Sequence, residues 1–295
     1  MGDLDKIPAA GSPREEVGGS GASHSTSDGV QFFVLFRHQL RTFLRTWRFL
    51  ALLIVVIAFW AVLLGVQLYH GTASVVAAYG TSANYLNGLL NGIDIFAVLS
   101  ASLFAGDAIS SDFGHRTGYF VLTQPVRRHV FYLSRYLAAS VACLLISGVF
   151  YAIPIAGAVH FFGASLPVVG LAQSWGLQSL YILALLSFVF FFSSLFSSIA
   201  LSILTPLLVL LLAFPTVMGV VEFYGYEPWY LLTYAADAIN QGLLHIPHAQ
   251  PRTGSFTSYI SYVPYRWEAI VLMLGYLLIF GFLGYWIYLR KEVKG

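Results

Sequence analysis

Four polar residues recur along an otherwise apolar segment at positions that a helix would place on one face. Asn84, Asn87, Asn91 and Asp94 are separated by 3, 4 and 3 residues, which matches the period of an α-helix. Polar and ionisable groups inside a membrane helix are costly and usually face a cavity or a partner. We therefore predict that Asn87, Asn91 and Asp94 line a translocation path. In the alternative, Asn84 and Asn87 lie outside the bilayer and Asp94 makes a structural hydrogen bond.

A second group of charged and aromatic residues lies in the loop that follows this segment. Its members are Asp112, Phe113, His115, Arg116 and Thr117. Ser110 and Ser111 beside acidic residues favour a helix N-terminus, so the sequence predicts a short helix here. A short helix rooted between two spans would be a rigid lever that offers a contact surface to another protein. The alternative is an ordinary loop whose arginines only fix the orientation of the chain.

Residue sets that would support catalysis or a resident cofactor are missing from the sequence. No Gly-rich loop is followed by Lys and Ser or Thr, so we expect no ATP site and no enzyme activity on this chain. A haem site needs paired histidines inside spans, whereas His70 and His160 fall at the ends of apolar segments. His245 and His248 have the residue type of zinc ligands, but no third ligand lies near them in the sequence. We therefore predict no metal site.

The composition requires lipid to cover part of the surface. Of the 295 residues, 58% are hydrophobic and 9% are charged, against about 25% charged residues in a soluble domain. The net charge of +2 is too small to favour nucleic acid as a partner. Residues 1–29 are rich in Gly and Ser and hold few large apolar side chains, so we predict a disordered tail.

Six apolar segments are long enough to cross a bilayer core, which takes about 20 helical residues. The sequence thus predicts an all-α polytopic membrane protein whose transmembrane domain covers residues 49–295. We expect the third span to stop near Pro154. Residues 222–267 should form a long external segment, with a short helix within Tyr230–Leu244 that is either re-entrant or lies on the membrane surface. The predicted spans are Phe49–Tyr69, Leu86–Gly106, Val130–Ile153, Gly176–Phe196, Ile199–Val221 and Glu268–Leu289.

The distribution of basic residues predicts the orientation. With six spans, thirteen of the fifteen Lys and Arg residues fall on one side, and the other side carries only Arg252 and Arg266. Short loops rich in Lys and Arg remain in the cytoplasm. We therefore expect both termini to be cytoplasmic and the protein to reside in the cell membrane.

Residues 30–48, before the first span, have the pattern of a helix that lies on the membrane. At 100° per residue, Phe33, Phe36, Leu40, Phe43, Leu44 and Trp47 cluster on one face. A stripe beside them consists of Arg37, Arg41, Arg45 and Arg48. Such helices bury the apolar face among acyl chains and place arginines at lipid phosphates. The helix is either a plain anchor or an elbow that also touches a cytoplasmic partner.

The stretch from Asp107 to Ala139 resembles the permease subunits of ABC-2 type ATP-binding-cassette transporters. The shared elements are an acidic residue, a Thr-Gly pair, an apolar run, Pro-Val, a basic residue and a second basic residue in the next span. They correspond here to Asp112, Thr117-Gly118, Tyr119–Leu122, Pro125-Val126, Arg127 or Arg128, and Arg135. One departure is that the family more often has Glu where this chain has Asp112.

The resemblance implies a transmembrane subunit of an exporter, which works as a homodimer with two separate ATPase subunits that bind ATP and Mg²⁺. It also implies that a coupling helix containing Asp112, Phe113, His115, Arg116 and Thr117 contacts the ATPase subunit. Two other classes stay open on the sequence alone. One is a stand-alone intramembrane enzyme or redox subunit, and the other is a membrane assembly factor.

Overall fold

A computed structural model describes residues 28–111, 128–244, 246–253 and 258–290 of the chain. Six of its helical segments are long and apolar enough to cross a membrane. The predicted all-α fold with six spans is therefore confirmed, and the protein is a multi-pass membrane protein. The spans are Trp47–His70, Ser82–Ala105, Arg128–Phe162, Val168–Leu195, Ile199–Phe223 and Arg266–Arg290.

The elements are numbered here in chain order. The first helices are α1 Asp28–Arg45, α2 Trp47–His70, α3 Thr72–Tyr79, α4 Ser82–Leu90 and α5 Ile93–Ala105. The later helices are α6 Arg128–Phe162, α7 Val168–Leu195, α8 Ile199–Leu208, α9 Phe214–Phe223, α10 Leu232–Ala236 and α11 Arg266–Arg290. The strands are β1 Ala249–Thr253 and β2 Ser258–Tyr262.

The bundle has two ends that differ in composition. We call the end with α1, Arg48, Arg128 and Arg290 the basic end, and the end with the antiparallel β1–β2 pair the hairpin end. Helices α6 and α7 lie at the centre, while the spans formed by α2, by α8 with α9, and by α11 are mostly exposed on the bundle surface. Those outer faces are apolar, as contact with lipid or with a second membrane subunit requires.

Helix α1 is present where the amphipathic pattern predicts a helix, and it packs along α6. Part of its apolar face is half-buried, including Phe36, Leu40 and Phe43, whereas Phe33 is 62% exposed. Trp47, which the pattern placed on the same face, begins α2 and is 77% exposed. The apolar face is therefore divided between contact with the bundle and the surface. The exposed arginines are Arg37, Arg41 and Arg45.

The second span is broken near its middle, although the sequence predicts a continuous helix. Asn91 is extended and Gly92 has a φ of 91°, in the left-handed region that glycine adopts without strain. Beyond the break, α5 runs in contact with α6, α7 and α8. Ala101 and Ala105 are fully buried, as expected for small residues that allow helices to approach closely.

The third span is longer than predicted, and the expectation that it stops near Pro154 is wrong. Helix α6 continues through Pro154 to Phe162. Proline loses one intrahelical hydrogen bond, and membrane helices tolerate this loss where neighbouring helices pack around the site. Pro154 is buried, so such neighbours are present. The fifth span also contains prolines, and a π-helical turn at Val209–Ala213 lies between its two α-helical parts.

A buried re-entrant segment follows α9. It consists of α10 and a 3₁₀ turn at Ile239–Gly242, and it packs between α7 and α11. A Cβ atom on Gly170 would collide with the carbonyl oxygen of Gly242, so the two backbones touch directly. The short helix predicted within Tyr230–Leu244 is thus present, and most of its residues are buried against the bundle. The β1–β2 hairpin that follows was not predicted.

A buried glutamate attaches the hairpin to the fifth span. Glu222, in the last turn of α9, is 5% exposed and accepts a hydrogen bond of 3.0 Å from the backbone N–H of Tyr262. The Tyr262 hydroxyl in turn donates to the carbonyl of Gly225 at 3.0 Å. These bonds hold β2 against the end of the fifth span.

Candidate functional site

A polar cavity of about 290 Å³ opens at the hairpin end, between the break in the second span and the re-entrant segment. It contains all three residues that the sequence analysis placed on a translocation path. The re-entrant segment adds a second carboxylate and a further amide. The polar residues that line the cavity are Asn87, Asn91, Asp94, Asp237, Asn240 and Gln250.

The break in the second span lies in the cavity wall. Asn91 and Gly92, at the break, both line the cavity together with Asn87 and Asp94 on either side of it. Asp94 falls in the first turn of α5, where the helix dipole favours a negative charge. Asn84 has a different role, because its side-chain amide donates to the carbonyl of Tyr79 at 3.0 Å.

A strip of buried polar side chains on α7 continues from the cavity into the bundle. The Ser174 hydroxyl lies 2.7 Å from that of Tyr151 and donates to the amide oxygen of Asn240 at 3.4 Å. Gln178 and Tyr181 follow at helical spacing, and both are fully buried. Neither the Gln178 amide nor the Tyr181 hydroxyl has a hydrogen-bond partner among the described residues.

Tyr181 lies in the electrostatic field of both carboxylates, Asp94 and Asp237. Unpaired polar groups are costly in a buried site, and polar residues in membrane spans commonly mark a solute path. No Lys or Arg is among the described residues that line the cavity. The arrangement therefore suits a cation or a solute that presents hydrogen-bond donors.

A second recess, of about 380 Å³, lies at the basic end between α1, α5 and α6. Arg48 forms an ion pair with Asp107, and the Arg135 guanidinium donates to the carbonyl oxygen of Ala108. Asp107 therefore uses its side chain in an ion pair. Arg48, in the first turn of α2, is half-buried at this pair, unlike the exposed Arg37, Arg41 and Arg45 of α1.

The predicted coupling residues Asp112, Phe113, His115, Arg116 and Thr117 lie outside the described residues. The two roots of their loop are well defined. The Ser193 hydroxyl accepts hydrogen bonds from the backbone N–H groups of Ile109 and Ser110, at 3.0 and 3.2 Å. On the other side, Arg128 donates to the carbonyl oxygen of Leu289, at 3.1 Å. The loop thus begins and ends on the basic end of the bundle.

Three side chains that could ligate a metal meet at the hairpin end. Glu227, His248 and Glu268 each place one ligand atom within 4.8 Å of the other two. The Tyr234 hydroxyl donates to Glu227. Burial, together with this bond, raises the pKa of the Tyr234 phenol well above its usual value, so the phenol remains a donor. His245, which the sequence placed beside His248, lies outside the described residues.

Comparison with known families gives one match. A family model described as "Protein of unknown function (DUF2705)" matches residues 76–294, which is more than half of the 295-residue chain. The chain belongs to the DUF2705 family. No curated protein matches it. The match to DUF2705 includes the polar cavity, the loop at the basic end and the cluster around His248.

The sequence analysis of this DUF2705 protein predicted the cavity residues of the second span but not those of the re-entrant segment. Asp237 and Asn240 follow an apolar stretch outside the spans, and only the re-entrant path brings them to Asp94. Gln178 is a different case, because the spacing of Ser174, Gln178 and Tyr181 within an apolar helix is visible in the sequence. That spacing is the same signal that identified Asn87, Asn91 and Asp94.

Proposed function

We propose that this chain is the transmembrane permease subunit of an ABC-2 type transporter. It would act as a homodimer in the cell membrane, with both termini in the cytoplasm, and export a solute. A separate ATPase subunit would bind ATP and Mg²⁺, because the sequence has no phosphate-binding loop of its own. Support from the sequence is the order of elements from Asp112 to Arg135 and the excess of basic residues on one side.

The observation that carries the proposal is that α5 joins two functional regions directly. Its first turn supplies Asp94 to the polar cavity, and its end leads within two residues to Asp107 and the root of the loop. At 1.5 Å per residue, a helix of 13 residues spans about 20 Å. A displacement of the loop by an ATPase would therefore move one wall of the cavity through a single rigid element.

Hydrogen bonds at the loop root would make this transmission efficient. The Ser202 hydroxyl donates to Ser110 at 2.7 Å, and Ser193 binds the neighbouring backbone. These contacts tie the start of the loop to α7 and α8, so a push on the loop would be shared among three spans. An assembly factor would have no need for a polar cavity linked to a cytoplasmic loop in this way.

Co-purification tests the proposal. The chain is co-expressed with the product of an adjacent reading frame that contains a phosphate-binding loop, and the complex is isolated on an affinity tag placed on the ATPase. We expect Phe113→Ala and Arg116→Glu to impair assembly or to uncouple ATP hydrolysis from transport, while membrane insertion is retained. Truncation of a central contact residue commonly costs more than about 1 kcal/mol of binding.

Arg37→Glu is the matched control, since it makes the same charge change on an exposed face of α1 at the same end. It should leave the complex intact. Normal assembly and wild-type transport in both the Phe113 and Arg116 variants would contradict the coupling role and with it the proposed function.

Cysteine labelling tests the orientation. The natural Cys143 is fully buried, so it contributes little background. Ala249→Cys, at an exposed position in β1, should react with an impermeant maleimide from outside the cell. Lys294→Cys should react only after the membrane is permeabilised. Labelling of Lys294→Cys in intact cells would contradict the six-span orientation.

A further inference from the structure

The residues around His248 bring one imidazole nitrogen and two carboxylate groups close together. His248 Nε2 and Glu227 Oε2 are 3.7 Å apart, which is longer than a hydrogen bond. One carboxylate oxygen of Glu268 completes a triangle whose sides are all within 4.8 Å. Tetrahedral Zn²⁺ with bonds of about 2.0–2.2 Å to imidazole nitrogen and carboxylate oxygen would hold its ligand atoms about 3.3–3.6 Å apart, slightly closer than the 3.7 Å between His248 Nε2 and Glu227 Oε2.

Neighbouring hydrogen bonds orient these side chains as metal ligands are oriented. The His248 Nδ1 donates to the carbonyl oxygen of Val263 at 2.8 Å, which leaves Nε2 as the ring nitrogen on the side of the two glutamates. Ligating histidines usually have such a partner on the second nitrogen. The imidazole also stacks on the Tyr265 ring, with ring centres 4.5 Å apart and an angle of 9°.

Each carboxylate is held through one oxygen. Tyr234 donates to Oε1 of Glu227, and the backbone N–H of Tyr265 donates to Oε2 of Glu268 at 2.9 Å. The nearest basic side chain in sequence, Arg266, donates to Gln173 and to the carbonyl of Gln241 at 2.8 and 2.7 Å. The guanidinium is therefore engaged on α7 and the 3₁₀ turn, and the two glutamates carry charge that a divalent cation would balance.

We propose that Glu227, His248 and Glu268 form a binding site for a divalent transition-metal ion such as Zn²⁺ at the hairpin end of the bundle. Two carboxylates and one neutral imidazole make a donor set that Zn²⁺ accepts, with a fourth position left for water. The three ligands come from the segment after α9, the approach to β1 and the first turn of α11. A bound metal ion would therefore connect Glu227 and His248, which lie between the fifth and sixth spans, to Glu268 in the sixth span.

The site is separate from the polar cavity and stands whether or not the chain is a permease. His248 and Glu227 have 26% and 32% of their side-chain surface exposed, so an ion can reach them from solution. Because the ion would bind the folded arrangement of three distant segments, its binding free energy would stabilise that arrangement.

Zinc binding to the purified full chain tests the site. The chain carries a purification tag without histidines, is treated with a chelator, and is titrated with Zn²⁺ in competition with a chromophoric chelator. We expect one equivalent of Zn²⁺ to bind and to raise the temperature of unfolding. His248→Ala, and the isosteric Glu227→Gln and Glu268→Gln variants, should weaken binding by at least about tenfold, the lower bound for loss of even an outer-shell partner.

Two features of the design keep the outcome decisive. Glu268→Gln retains an oxygen that can accept from the Tyr265 N–H, so it tests the ligand without removing the start of α11. His70→Ala removes an exposed histidine from the same end of the bundle and should bind Zn²⁺ like the wild type. Absence of stoichiometric binding in the wild type would overturn the proposal. Unchanged binding in His248→Ala, or equal loss in His70→Ala, would overturn it as well.

Discussion

The two recesses at opposite ends of α5 differ in whether their carboxylates have a basic partner among the described lining residues. At the basic end, Asp107 is neutralised by Arg48, and Arg135 is bound to a backbone carbonyl. At the hairpin end, Asp94 and Asp237 share a cavity with neutral amides. The carboxylates near the two ends of the same helix thus belong to an ion pair at one end and line a polar cavity at the other.

This contrast indicates which polar residues carry function. A charge that is paired within the chain mainly fixes geometry, and a partly exposed pair contributes little to stability. A carboxylate in a span without a basic partner among the described lining residues costs free energy to bury. In the proposed permease, a solute, an ion or a moving partner would use the group. The aspartates at positions 94 and 107 therefore form a natural matched pair for mutagenesis.

The largest effect is expected from Asp94→Asn. If the proposed path is right, this variant should express normally and lose transport by at least about tenfold, equivalent to about 1.4 kcal/mol. Transport is measured in cells in which the variant replaces the natural gene, with the amount of membrane protein checked by immunoblot. Asp107→Asn is the control and should keep most activity. Lower expression of Asp94→Asn with normal activity per molecule would favour a structural role and break the comparison.

The wall of the cavity is tested by Gly170→Ala, which we expect to destabilise the protein by about 1–3 kcal/mol. The new methyl group would collide with the Gly242 backbone and push the re-entrant segment away from α7. Gly176→Ala is the control on the same helix, because its Cβ would meet open space. It should be neutral or stabilising by up to about 1 kcal/mol. Thermal unfolding in detergent that gave equal values for both variants would contradict the direct backbone contact.

A smaller effect is expected at the basic end. The side chains of Arg48 and Asp107 are 40% and 22% exposed, so solvent screens their attraction. A double-mutant cycle with Arg48→Ala and Asp107→Ala should give a coupling free energy below about 1 kcal/mol. A coupling free energy well above that value would mean that the Arg48–Asp107 ion pair makes a substantial contribution to stability, which would contradict this expectation.

The smallest effect on transport is expected for two asparagines, Asn84 and Asn87, that lie on the same predicted helix face. Asn84→Ala should leave transport unchanged, because the Asn84 side chain bonds to the loop carbonyl of Tyr79 and lies outside the cavity. Asn87→Ala removes a lining amide and should reduce transport measurably in the same cells. Both should stay within about 0.5 kcal/mol of wild-type stability if the effect is local. Equal transport by the two variants would remove Asn87 from the path.

The sequence by itself determined the membrane class and the number of spans. Long apolar runs can satisfy their backbone groups in lipid only as helices, so the six spans follow from local composition. The amphipathic spacing likewise determined α1, and helical spacing brought Asn87, Asn91 and Asp94 together as candidates. These features depend on residues within a few turns of one another, which sequence periodicity reports directly.

The tertiary structure decided what depends on distant segments. Whether Pro154 ends a helix depends on neighbours that pack around it, and here those neighbours keep α6 intact. Asp237 reaches Asp94 only because Gly170 and Gly242 let two backbones touch. Glu227 and Glu268 reach His248 only because Glu222 fixes the hairpin to α9. In each case the outcome depends on packing between segments that are far apart in the chain, which a local sequence pattern does not predict.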